Sequence, residues 1–198
     1  METRGFVGRG RDNSGRIPPG QHDAGHDFPV MIAGGAVELA REDWRLTVGD
    51  GVVSKTYDWD SLHALGTESI TVDIHCVTHW TKLDTTWGGV PVGALFDDAG
   101  VGDYDYSIIT SYGEYTTNLP TTDLVDESAL IATSYDGAPI TAEHGGPVRL
   151  VVPHLYFWKS AKWIQQILLS DQDEPGFWEV SGYHNYGDPW LEQRYSLD

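Results

Sequence analysis

"ESITVDIHCVTHW", residues 68–80, reads as a strand that runs into a turn. Ile70, Val72, Ile74 and Cys76 fall on one face and Thr71, Asp73 and His75 on the other, which is the two-residue period of a half-buried strand. Cys76 thus sits at the strand's end, on its buried side. It is the single cysteine in 198 residues, and it lies between His75 and His79. Three readings are open. Free cysteine is among the most buried residue types, so Cys76 can be a small core hydrophobe. It can be a nucleophile, which needs a base near it in space. It can be a metal ligand, and both histidines are also ligand types. A zinc site made of all three is opposed by the strand, which turns His75 and Cys76 to opposite faces. No fourth ligand is evident, and no nucleophile elbow or helix N-terminus surrounds the thiol.

Outward from this strand, the chain alternates short strands with short helices. "WRLTVGDGVVSKTYDW" carries an Asp50-Gly51 turn signal between alternating segments and predicts a hairpin. "DWDSLHALG" has Asp58 as N-cap, Trp59, Leu62 and Leu65 at helical spacing, and Gly66 as a stop. "VPVGALFDDAG" predicts a helix closed by Gly100, and "DLVDESALIATSYDG" a helix running into a turn. "YSIITSYGEYTTNLP" predicts a strand and turn, while "GGPVRLVVP" and "KWIQQILLS" predict buried strands. Residues 1–27, rich in Gly, Arg and Pro, read as an extended or poorly ordered arm, and 28–198 as one domain. Short strands mixed with short helices make the expected fold class α+β rather than a doubly wound sheet.

Composition narrows the function classes. Thirty acids against twelve bases give a net charge of −18, which repels nucleic acid and anionic membranes. No apolar run is long enough for membrane insertion, the N-terminus lacks an apolar signal core, and one cysteine makes no intrachain disulfide. A cytoplasmic location is expected. Twenty of the acids are Asp and only four of the bases are Lys, a surface suited to a high-salt cytoplasm where ions screen the self-repulsion. The melting temperature is then expected to rise steeply from low to molar salt; a flat response contradicts the halophilic reading.

The bases are unevenly placed. None lies between Lys82 and Arg149; then "HGGPVRLVVPHLYFWKSAK" supplies Arg149, Lys159 and Lys162. In so acidic a chain a local cationic cluster is what an anion requires. The Arg fork and the Lys point charge both suit phosphate. Ser160 and the amides around Ala161 can donate to phosphate oxygens, and Gly145 and Gly146 allow close backbone approach to a ligand. The alternative is that these bases pair with surface carboxylates.

Four blocks in order, "PPGQ…FPV", "DIHCVTHW", "HGGPVRLVVPHLYFWKSAKW" and "GFWEVSGYHNYGDPWLEQRY", resemble the molybdopterin-dependent oxidoreductases of the sulfite oxidase superfamily. The likeness runs from Pro18 to Tyr195 and is greatest to the small stand-alone members. The periplasmic methionine sulfoxide reductase catalytic subunits are more distant relatives. It implies the superfamily's molybdopterin-binding fold, α+β with mixed, mostly antiparallel sheets and short helices. It also implies one molybdenum, cycling between Mo(VI) and Mo(IV), held by the dithiolene of one pyranopterin and by Cys76. By the same resemblance Arg149, Ser160, Ala161 and Lys162, with Lys159 in the same cluster, hold the pterin and its phosphate. His144, Ser111, His26 and Phe28 fall at or near other cofactor contacts, and His75 becomes a residue contacting the pterin or supporting the ligand. His79, Trp80, Trp87 and Tyr183 are candidate pocket residues.

True sulfite oxidases place an Asn-Arg-Arg-type stretch after the metal cysteine. Here Val77, Thr78, His79 and Trp80 follow it. A doubly charged anion needs a positive pocket, so the departure favours S-oxide or N-oxide reduction over sulfite oxidation, although Lys82 or Arg194 could bring charge from elsewhere. The resemblance implies a small-molecule substrate and a separate electron donor or acceptor protein. No haem or immunoglobulin-like domain is expected, hence a monomer. Two other classes stand beside this one: a non-catalytic molybdopterin-binding or storage protein, and an aromatic-rich binding module in which Cys76 is core.

Overall fold

The computed structural model describes residues 15–32, 35–125 and 128–198. In chain order its elements are β1 (His22–Asp23), β2 (Leu46–Gly49), β3 (Ser54–Tyr57), α1 (Trp59–His63), β4 (Glu68–His75), β5 (Trp80–Pro91), α2 (Val92–Ala99), β6 (Tyr106–Ser111), β7 (Thr116–Pro120), α3 (Thr122–Val125), β8 (Leu130–Tyr135), β9 (Ala138–Pro139), β10 (Arg149–Val151), β11 (Ile164–Ser170) and α4 (Phe177–Val180). One sheet has the order β1-β5-β8-β10, with β4 also on β5 and β9 on β8; the other has the order β3-β2-β11-β6-β7. Among the described residues only β1/β5 and β2/β11 are parallel pairs within the sheets. The fold is α+β, as the patterning implied, with the mostly antiparallel sheets that the resemblance implied.

Local chemistry builds the predicted elements. Asp50 accepts from the amides of Val52 and Val53, and Gly51 sits at φ +86°, so the chain reverses between β2 and β3. Asp58 and Ser61 form a reciprocal capping box that starts α1. Gly100, left-handed at φ +67°, ends α2. The segment read as a helix over 123–137 is a correction. Only α3 is helical there, and Leu130–Tyr135 is a strand between β5 and β10. Leu130, Ile131, Ala132 and Thr133 are all buried, so the strand shows no period-two pattern; Asp126 and Glu127, which fall in the same prediction, lie outside the described residues.

The longest strand, β5, has no counterpart in the sequence reading. It holds β4 on one edge and β8 on the other, and pairs with β1 at its start. Of the arm, the described residues from 15 to 27 lie against this sheet. His22 and Ala24 donate to the carbonyls of His79 and Thr81, and Arg16 pairs with Asp73 and Asp84. Two apolar clusters result. The larger centres on Trp44, Leu46, Leu95, Ile131 and Ile167; the smaller contains Ile74, Cys76, Trp80, Trp87 and Val151 and carries the site.

Candidate functional site

Cys76 follows β4 at the tip of the β4–β5 hairpin. Its amide donates to Trp80 O at 2.9 Å, and the His79 amide donates to Cys76 O at 3.1 Å. His79 takes the left-handed conformation (φ +72°) that closes this turn, anchored by its Nδ1 at 2.9 Å from Gly20 O. The thiol is buried but faces a cavity that Arg149, Ser160, Ala161, Lys162, His144 and Phe28 also line. Burial pushes its pKa up; a hydrogen bond from Thr78 Oγ1 at 3.1 Å and the charges of Arg194 and Lys162 pull the other way.

Arg149 projects from β10 and is fully buried. Its guanidinium donates to His144 O (2.6 Å), Ser160 O (2.7 Å) and Leu150 O (3.3 Å), and lies 4.1 Å from the Phe157 ring centroid. No carboxylate is in ion-pair range among the described residues. Burial lowers its pKa to about 9, which leaves it cationic at neutral pH. Lys162 is likewise without a carboxylate. Its Nζ donates to Glu143 O (2.6 Å) and Met31 O (3.0 Å), and burial together with Arg149 lowers its pKa to about 7. Arg149 and Lys162 thus stand beside one cavity with hydrogen bonds to carbonyl oxygens and no carboxylate partner, two basic groups open to an anion. A bound anion would raise both pKa values again.

His144 shares the wall. Its ring lies 4.1 Å from that of Phe28, with Nε2 3.3 Å from Phe28 O and Nδ1 3.0 Å from Thr141 Oγ1; burial keeps it neutral. Ser160 Oγ accepts from the Val152 amide and Ala161 O from the Leu150 amide, so both residues pin the cavity floor to β10.

Other predicted residues lie elsewhere. His75 points away, as strand parity requires: its Nδ1 is 2.9 Å from Thr81 Oγ1, its ring meets Trp190, and burial holds its pKa down to about 4. Lys159 turns to Glu179 (2.6 Å) and to the carbonyls of Asn118 and Asn185. Ser111 is buried in β6 with its hydroxyl unpartnered, and His26 is exposed. None of these four lines the cavity. Trp80 and Tyr183 do line it, whereas His79 and Trp87 do not. Gly145 and Gly146 serve the chain itself: a Cβ on Gly145 would lie 2.8 Å from Lys162 Cβ, and one on Gly146 would overlap Ile140 O. Tyr115, Phe157, Trp158 and Trp178 complete an aromatic wall that the sequence reading did not assign to the site; the available signals were the aromatic density of "GFWEVSGYHNYGDPW" for Trp178 and the "LYFW" run between the clustered bases for Phe157 and Trp158.

Among the described residues no group of three His, Cys, Asp or Glu side chains comes together around a metal. The chain offers one thiol beside a cationic, aromatic-walled cavity, a donor set that fits a metal whose remaining ligands arrive on a phosphorylated organic group. The model of the oxidoreductase molybdopterin binding domain matches residues 33–178. The chain belongs to that family. An uncharacterized oxidoreductase of Bacillus subtilis, YuiH, is 42% identical over 196 residues, 96% of this chain and 97% of that protein. A putative protein-methionine-sulfoxide reductase subunit of Azospira oryzae is 30% identical over 81% of this chain, and the match covers 63% of that protein. The sulfane dehydrogenase SoxCD of Paracoccus pantotrophus shares the fold, with a TM-score of 0.64 at 20% identity over 75% of this chain and 42% of its own. The chain is thus a sulfite oxidase-like oxidoreductase, and its cofactor is molybdenum-molybdopterin. Among the described residues no helix is long and apolar enough to cross a membrane.

Proposed function

We propose that Cys76 ligates the molybdenum and that the enzyme reduces a small S-oxide or N-oxide, with electrons delivered by a separate redox protein. The observation that carries this reading is the shared cavity: Cys76 lines it together with Arg149 and Lys162, the two cations that lack a carboxylate partner. When bound, the cofactor supplies two-electron oxygen-atom transfer at molybdenum. Arg149 and Lys162 bind the pterin's phosphate. Phe28 and His144 cover one side, and the carbonyls around Ser160 and Ala161 orient the rim. The wall of Tyr115, Trp158, Trp178 and Tyr183 keeps water from the sulfur and leaves a neutral, polarisable surface for substrate. The turn from Val77 to Trp80 contains no Arg or Lys of its own, and Arg194, which reaches it from the tail, donates to Val77 O and does not line the cavity, so a sulfite dianion meets no free cation on that side. The relative named as a methionine-sulfoxide reductase subunit supports the same direction.

Metal analysis tests the first half: wild type is expected to hold about one molybdenum per chain, and Cys76→Ala to hold none. Oxidation of a reduced viologen dye by dimethyl sulfoxide or methionine sulfoxide tests the second. Molybdenum binding without turnover across S-oxides, N-oxides and sulfite would turn the reading to a cofactor-holding protein.

A further inference from the structure

Arg194 sits in the C-terminal tail, 117 residues from Val77, yet it is only 6% exposed and reaches the cysteine turn. Its Nη1 donates to Val77 O at 2.6 Å, its Nη2 lies 3.5 Å from Pro19 O, and its guanidinium lies 5.0 Å from the Tyr156 ring centroid. No carboxylate is in ion-pair range of it among the described residues. From the other end of the chain, Gln21 Nε2 donates to Cys76 O at 3.0 Å. Two consecutive carbonyls at the sulfur-bearing turn are therefore held by segments remote in sequence. The approach is tight. A Cβ on Gly20 would lie 2.6 Å from Glu192 Oε1 and 3.3 Å from Arg194 Nη2, and its φ of +70° favours glycine where the arm meets the tail.

A charged donor buried against a carbonyl is costly to place, because the cation gives up water for neutral partners. A purely structural tie between tail and turn is available more cheaply from a neutral amide. What the cation adds is rigidity from a short charge-assisted hydrogen bond and a positive field at the turn. Peptide plane 76–77, which flanks the Cys76 Cα, is held through its carbonyl by Gln21, and Arg194 holds the next plane, 77–78, so the turn that carries the sulfur is fixed on its C-terminal side. We propose that Arg194 is a positioning residue for the Cys76 sulfur: it locks the turn so that the thiolate stands at a fixed place relative to the Arg149–Lys162 phosphate anchor. This rests on the reading of Cys76 as the molybdenum ligand.

The test compares wild type, Arg194→Gln, Arg194→Lys and Gln21→Ala as purified holoproteins. Molybdenum retention during dialysis, the Mo(V) electron paramagnetic resonance spectrum and the melting temperature are measured on each. Removing a group that orients a metal ligand typically costs 10- to 100-fold in metal affinity. Arg194→Gln is expected to release molybdenum roughly 10-fold faster and to give a shifted Mo(V) signal. Arg194→Lys, which keeps the charge and one donor, should return both towards wild type. A folded Arg194→Gln with wild-type retention and spectrum overturns the proposal. Should that variant not fold, Gln21→Ala decides, since it removes the remote one of the two donors on the neighbouring carbonyl and leaves only the His79 amide: an altered spectrum supports the locked turn and an unaltered one overturns it. Wild type lacking both molybdenum and signal would instead overturn the assignment of Cys76, a separate and distinguishable failure.

Discussion

Arg149→Met is expected to empty the site while leaving a folded chain. In wild type the guanidinium is buried with carbonyl and aromatic partners and no carboxylate, so the desolvation of a cation is already built into the fold before any anion arrives. A phosphate entering the cavity then gains a charge-assisted, bidentate partner that does not have to shed water at the moment of binding. Truncating one member of a buried, hydrogen-bonded charge pair costs about 2–5 kcal/mol, or roughly 30- to 5,000-fold in affinity. The effect on the cofactor-free fold is far smaller because two contributions oppose each other. Replacing the cation by an apolar side chain of similar length removes a desolvation penalty of several kcal/mol. Leaving the carbonyls of His144 and Ser160 without their donor costs about 1–3 kcal/mol each. Molybdenum per chain, measured beside a thermal melt, separates the two. A variant that loads normally would place the phosphate away from β10.

The same logic extends beyond Arg149. In a chain of net charge −18, Lys82, Lys162 and Arg194 also spend their donors on main-chain carbonyls: Lys82 on Gly25, Asp27 and more distantly His26, Lys162 on Met31 and Glu143, Arg194 on Val77. Each ties down a segment bordering the cavity without neutralising its own charge. Lys159, which meets Glu179, is the contrasting case and faces away from the cavity. Keeping carboxylates off these four cations preserves a positive interior beneath an acidic surface, which an anionic cofactor needs and the net charge alone would deny it.

This division explains what the sequence disclosed. Features encoded within a few residues were legible: the Asp50-Gly51 reversal, the Asp58–Ser61 box, the Gly100 stop and the placement of Cys76 at a strand end. The scarcity of bases also made Arg149 and Lys162 stand out. Which base faces the cavity was not legible, because a carbonyl partner leaves no mark in composition. Lys159 and Lys162 are three residues apart and end in unrelated environments. Ser111 and His26 were placed by alignment with relatives rather than by any local signal, and neither borders the cavity. Arg194 was visible only as a stray charge, since its role depends on the tail folding back over 117 residues.

The strand that was missed supplies the other large effect. β5 contains Lys82, Asp84 at φ +54°, Gly88, Gly89 and Pro91, residues that locally disfavour a strand. It forms because β4 and β8 hold it from both sides, with a register shift at Gly88/Gly89 where β8 comes closest. A Cβ on Gly89 would overlap Ile131 O and stand 2.7 Å from Ala132 Cα. Both obstacles are backbone, so no side chain can rotate away, and the central pair of the sheet would have to part. Gly89→Ala, one added methyl, is therefore expected to destabilise the protein by more than the roughly 1–3 kcal/mol usual for overpacking, and to yield little folded chain. Chemical denaturation measures this directly, with Gly137→Ala as the comparison. That glycine has open space around its Cβ position and only its φ of +75° to object, so its cost is the smaller strain of about 1–2 kcal/mol. Equal losses at the two positions would mean that β8 can retreat from β5, and that the close approach at Gly89 is not what fixes the sheet carrying Cys76 and Arg149.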